Sequence, residues 1–144
     1  MACGEHAAEK CGHIGTQSLE QIASGPALVA RFNARRPGAA TNARNVLAAA
    51  TSGDAVALEV VRSGAEALGS TIGLLINVLD PRAVIVGGGL GLSQGPYWEN
   101  LTASIRLHIW SEARRELPIL QAMTGESAGI IGAAATAWKK TART

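Results

Sequence analysis

A chain of 144 residues that is 47% hydrophobic and 17% charged is long enough for one domain with a filled core. Its net charge of +2 comes from interspersed acids and bases, and only 3% of residues are aromatic. Both features argue against nucleic-acid binding, which calls for a basic stripe with interleaved rings. The most apolar stretch, Ala65 to Leu79, contains Glu66 and Asn77 and is shorter than the ~20 residues of a membrane span. The opening residues hold Glu5, His6 and Glu9 and no apolar run, so no export signal is expected. A cytoplasmic location follows as the expectation, with Cys3 and Cys11 as free thiols.

In chain order, residues 1–17 read as an irregular segment interrupted by Gly4, Gly12 and Gly15, with Cys3, His6, Cys11 and His13 crowded together. Residues 18–144 read as an α/β domain, rich in helix and poor in strands. Ser18 is a candidate N-cap for a short helix with Leu19, Ile22 and Ala23 on its apolar face. Gly25-Pro26 opens a second helix through Leu28, Val29 and Phe32, which Pro37-Gly38 ends. Thr41 or Asn42 starts a third, Ala43 to Ala50.

Asp54 is placed to cap the longest helix. Val61, Ala65, Leu68, Ile72, Leu75, Ile76 and Leu79 follow steps of three and four along it, which predicts one buried face. Gly64, Gly69 and Gly73 within it each cost about 1 kcal/mol against alanine. A neighbouring helix or sheet packed very close would offset that cost. Asp80-Pro81 ends the helix.

Ala83-Val84-Ile85-Val86 is an apolar run bounded by turn residues, predicting a strand buried on both faces. Gly87-Gly88-Gly89 follows directly. A helix from about Tyr97 to Trp110, a strand from Pro118 to Met123 and a closing helix from Ser127 to Lys139 complete the pattern, that of an α/β unit with parallel strands. Glycines beyond the carboxyl end of a buried strand let a ligand approach the backbone, a nucleotide for instance, although a tight turn uses them as readily.

Three segments resemble the ROK family. Asn77 and then Asp80-Pro81-Arg82-Ala83-Val84-Ile85-Val86-Gly87-Gly88-Gly89 are similar to its N-x-x-D-P-x-x-I-V-x-G-G-G pattern. Ser18-Leu19-Glu20-Gln21-Ile22-Ala23-Ser24-Gly25 resembles its C-L-E-x-x-A-S-G stretch. Pro118-Ile119 with Glu126-Ser127-Ala128-Gly129-Ile130-Ile131-Gly132-Ala133-Ala134 resembles its closing segment.

The resemblance implies part of an actin-like ATPase (ribonuclease H-like) fold, the C-terminal half of a sugar kinase that phosphorylates a hexose or amino sugar with ATP and Mg²⁺. It places Gly87, Gly88 and Gly89 on the adenosine side of a nucleotide site and Glu20 against sugar hydroxyls, where the residue-level alternative is a surface carboxylate in a helix's first turn. Gly4-Glu5-His6 echoes the family's G-E-x-G-H, two residues short, and through it His6 becomes a candidate sugar contact.

The departures bear on activity. Cys11-Gly12-His13-Ile14-Gly15 keeps only part of the family's zinc segment, leaving Cys11 and His13 as candidate ligands of zinc or as relics of a lost site. The D-x-G-G-T hairpin, the G-T-G segment and the N-D pair with the catalytic aspartate do not occur. No catalytic residue is therefore assigned, and the chain alone is expected to be inactive. The effector-binding part of a ROK-type repressor and a non-catalytic sugar- or nucleotide-binding remnant stay open as alternatives. A sheet of two strands exposes edges and apolar faces, so self-association is expected.

Overall fold

Side-chain caps set the starts of the first four helices. The computed structural model describes residues 18–141. Ser18 closes a capping box on α1 (Leu19–Ala23): its backbone N–H donates to Gln21 Oε1 at 2.7 Å, while its Oγ accepts from Gln21 N at 3.4 Å. Ser24 caps α2 (Gly25–Arg35), which has Pro26 in its first turn. Asn42 caps α3 (Ala43–Thr51), and Asp54 caps α4 (Ala55–Leu79) by accepting from Ala57 N at 2.9 Å. α4 stops at Asp80, whose backbone is left-handed at φ 46°. Arg114 donates to its carboxylate at 2.7 Å.

The chain continues through β1 (Val84–Val86), a single helical turn α5 (Gly88–Gly91), α6 (Pro96–Leu107), a 3₁₀ turn at Glu112–Arg114 and β2 (Ile119–Gln121). A second 3₁₀ turn at Gly125–Ser127 leads into α7 (Ala128–Thr141). Among the described residues, α4 and α6 form the main packing seam, with α1, α2 and α3 against α4. Leu28, Phe32, Val46, Val60, Val61, Tyr97, Leu101 and Ile105 fill the core.

Gly69 and Gly73 inside α4 are explained by that seam, and Gly64 by α1 and α2, where an added Cβ would lie 2.7 Å from Leu28 Cδ2. A Cβ added at Gly69 would lie 2.6 Å from Ser104 Cβ, and one at Gly73 would lie 2.6 Å from His108 Cβ. Neither distance is sterically tolerable, so close approach of α6 offsets the helix cost of glycine, as the sequence led us to expect. Ser104 Oγ uses the proximity to donate across the seam to Glu66 O at 2.9 Å.

The strands pair in parallel, with Val84 opposite Ile119, Ile85 opposite Leu120 and Val86 opposite Gln121. Here the expectation of a strand buried on both faces is corrected. Val84, Val86 and Ile119 pack on the helical core, while Ile85 is 69% and Leu120 52% exposed. A strand alternates its side chains between faces, and among the described residues helices cover only one of them.

Three smaller corrections concern the extent and covering of other elements. β2 is shorter than Pro118 to Met123, and Met123 is fully exposed. α6 ends at Leu107, leaving Trp110 exposed beyond it. On the periodic face of α4, Leu75 and Leu79 are exposed, although Ile76 between them is buried. α7 forms as a helix, but none of its residues is buried.

Candidate functional site

The triple glycine sits where β1 leaves the sheet. Gly87 is extended and caps α5 through its backbone, and Gly88 has φ +80°, a conformation L side chains rarely adopt. A Cβ at Gly89 would meet nothing within 4 Å. The space it leaves opens on a cleft of about 490 Å³ lined by Gly25, Asn42, Ala43, Arg44, Leu47, Gly89 and Leu90. The three glycines therefore differ in their parts: Gly87 and Gly88 shape the turn, and Gly89 contributes to the cleft wall.

The facing wall is the first turn of α3. Asn42 Oδ1 accepts from Asn45 N at 3.1 Å, which fixes that end of the helix and leaves the backbone N–H groups of the first turn outside the helix ladder. Leu47 and Leu90 supply apolar surface, and Gly25 and Gly89 add none of their own bulk. A slot of this size with apolar walls and the positive end of a helix dipole suits a flat, mostly apolar ring carrying polar or anionic substituents. Asn42, Ala43, Arg44, Leu47 and Leu90 are not among the site residues expected from sequence. The capping pattern at Asn42 was legible, but its position across from Gly89 was not.

Glu20 is exposed on α1 and does not line this cleft. His6, Cys11 and His13 lie outside the described residues. Among the described residues, no three His, Cys, Asp or Glu side chains gather closely enough to hold a metal. Both aspartates of the chain are committed elsewhere: Asp54 caps α4 and pairs with Arg36 at 3.2 Å, and Asp80 pairs with Arg114.

Asn77, the other polar residue of the Asp-Pro motif, serves the scaffold. Its Nδ2 donates to His108 O at 2.8 Å and its Oδ1 accepts from Trp110 N at 3.0 Å, tying the loop after α6 to the end of α4.

Comparison with known proteins places this architecture. The ROK family model matches residues 3–140. The chain belongs to the ROK family. It is 32% identical over 123 residues to the bifunctional enzyme NanE/NanK of Brucella melitensis biotype 1, covering 85% of this chain and 23% of that protein. It is 30% identical over 125 residues to the N-acetylmannosamine kinase of Escherichia coli O9:H4, covering 86% of this chain and 40% of that one. The structure matches a ROK family glucokinase from Streptomyces griseus, solved in complex with glucose and AMPPNP, with a TM-score of 0.70 and 30% identity. That match covers 85% of this chain and 45% of the glucokinase.

The chain therefore spans less than half the length of each of these three relatives. The helix-rich α/β architecture is that of part of the actin-like ATPase fold of ROK sugar kinases. No described helix is long and apolar enough to cross a membrane.

Proposed function

We propose that the cleft between Gly89–Leu90 and the first turn of α3 receives the adenosine part of ATP, and that this chain is the nucleotide-side portion of a ROK sugar kinase. The observation that carries the reading is the pairing of two walls: a glycine turn at the carboxyl end of a parallel strand and a helix N-terminus. It is supported by the Streptomyces griseus glucokinase, whose complex contains AMPPNP. A hexose or amino sugar is the proposed acceptor, since the relatives are a glucokinase and an N-acetylmannosamine kinase.

Phosphoryl transfer needs groups that hold the phosphates with their metal and a base on the attacking hydroxyl. The described residues offer neither, so the chain by itself binds nucleotide without turning over. Glu20 remains the proposed sugar contact in a complete enzyme. His6 as a second sugar contact, and Cys11 and His13 as zinc ligands, are the expectations for residues 1–17. The exposed apolar side chains of the sheet, Ile85 and Leu120, and of α7, Ile130, Ile131 and Trp138, are proposed to support self-association in the cytoplasm.

Titration calorimetry of the purified chain with AMPPNP tests the cleft. Wild type is expected to bind, and Gly89→Leu, which fills open space without disturbing the core, is expected to abolish binding while the far-ultraviolet circular dichroism is unchanged. Equal affinity in the two proteins would remove the cleft from consideration. Incubation with ATP, Mg²⁺ and glucose or N-acetylmannosamine is expected to yield no sugar phosphate. Light scattering is expected to report a species larger than one chain.

A further inference from the structure

We propose that Gln121 is a positioning residue for the nucleotide cleft: from the end of β2 it holds the turn that carries Gly89 and Leu90 at its working distance from α3. The inference rests on the reading of the cleft as a nucleotide site. Gln121 is in register with Val86, the last residue of β1. Its side chain therefore stands beside the point where the glycine turn leaves the sheet.

From there its Nε2 donates to Gly91 O and to Ser93 O, each at 2.9 Å, and its Oε1 accepts from Gln94 Nε2 at 2.9 Å. Ser93 Oγ completes the set by donating to Leu90 O at 2.6 Å. The carbonyls of residues 90, 91 and 93 are thus all held by side chains.

The segment needs such a staple. Five of the nine residues from Gly87 to Gly95 are glycine, and glycine loses more conformational freedom on ordering than any other residue. Within α5 and the bend after it, the backbone contributes only short-range bonds, Leu92 N to Gly88 O at 3.0 Å and Ser93 N to Leu90 O at 3.1 Å. Neither ties the turn to the sheet. Gln121 does, and it does so without lining the cleft itself, so any effect on nucleotide passes through the position of Gly89 and Leu90.

The bonding pattern also sets the chemistry required at this position. Two of the three bonds need a donor aimed at carbonyl oxygens. A glutamate would turn a carboxylate on both carbonyls, whereas a lysine would keep the donor.

The test is AMPPNP titration of the chain and its Gln121→Ala, Gln121→Glu and Gln121→Lys variants, with amide hydrogen exchange over residues 87–95 and a thermal melt of each. Loss of two such bonds is expected to weaken AMPPNP roughly tenfold in the alanine and glutamate variants. Exchange over 87–95 should accelerate in both, the melting midpoint should stay near wild type, and lysine should restore most of the affinity. Gln94→Ala, which removes only the outer bond at an exposed side chain, should show a smaller change in the same direction and provides the readout if Gln121→Ala fails to fold.

Wild-type affinity and exchange in Gln121→Ala, or an equal loss in the lysine and glutamate variants, would overturn the positioning role and leave the cleft standing. A wild-type chain that binds no AMPPNP would overturn the cleft and this inference together.

Discussion

The seam between α4 and α6 and the strand-α7 end of the molecule are built from similar residues and behave oppositely. In the seam, Leu101 and Ile105 are fully buried, and glycines let the helices close to within side-chain contact. At the other end, Ile85, Leu120 and Met123 are exposed, and α7, with Ile130, Ile131 and Trp138, has no buried residue. A helix apolar on all sides is ordinarily buried. The contrast shows that apolar patterning specifies a surface to be covered and does not by itself supply the cover.

Truncating one leucine from each region gives the largest test of that contrast. Leu101→Ala should cost about 2–5 kcal/mol in urea denaturation, as for a fully buried leucine. Leu120→Ala, at a half-exposed site, should cost a small fraction of that. Equal losses would mean that the sheet face is covered in solution and would favour the self-association proposed above.

Glycine substitutions sharpen the same comparison. Gly69→Ala should destabilise by about 1–3 kcal/mol, because the new methyl meets Ser104 and Leu101 O at under 3 Å. Gly132→Ala, where a Cβ would meet nothing within 4 Å, should raise helix content measurably by circular dichroism, with a local gain of up to about 1 kcal/mol.

Tyr97 provides a pH signature belonging to the buried region alone. Burial pushes its phenol up to about 12 from an ordinary value of 10.0, and its hydroxyl has no hydrogen-bond partner among the described residues. Because the folded-state value is raised, the neutral ring's contribution is full below pH 10 and is lost as pH rises toward about 12. Tyr97→Phe should leave stability at pH 7 unchanged or slightly higher and should flatten the alkaline decline in a pH series of thermal melts.

The smallest effect is expected at the surface. Arg35 holds the Glu59 carboxyl below its ordinary 4.5 through hydrogen bonds of 2.6 and 3.1 Å. The lowered value means that this pair contributes above that pH and fades as the carboxylate protonates below it. Glu59→Gln should shift the melting midpoint barely at all at pH 7, and the shift should disappear in high salt.

Much of the local structure was legible. Ser18, Asn42 and Asp54 announced helix starts because a side-chain oxygen there satisfies a backbone N–H that the first helical turn leaves open. Asp80-Pro81 announced the end of α4, and Val84-Ile85-Val86 announced a strand. The one-turn helix at Gly88–Gly91 was not legible, since four residues rich in glycine carry no periodicity. The opposing wall of the cleft was equally hidden, because Asn42 and Gly89 are far apart in sequence and neither encodes the distance between them. Gln121 reads in sequence as an ordinary polar residue near the end of a strand. Its partners Gly91, Ser93 and Gln94 exist for it only after β1 and β2 pair in register.

The sequence by itself determined where helices start and stop, that α4 must be approached closely at its glycines, and which family the segments resemble. Each of those depends on residues within a few positions of one another, or on the presence or absence of a Cβ. Tertiary structure alone decided which strand face is covered, which glycine opens on the cleft, and which side chain anchors the turn. Those outcomes depend on distances between segments tens of residues apart, which are set only when the helices have packed and the strands have paired.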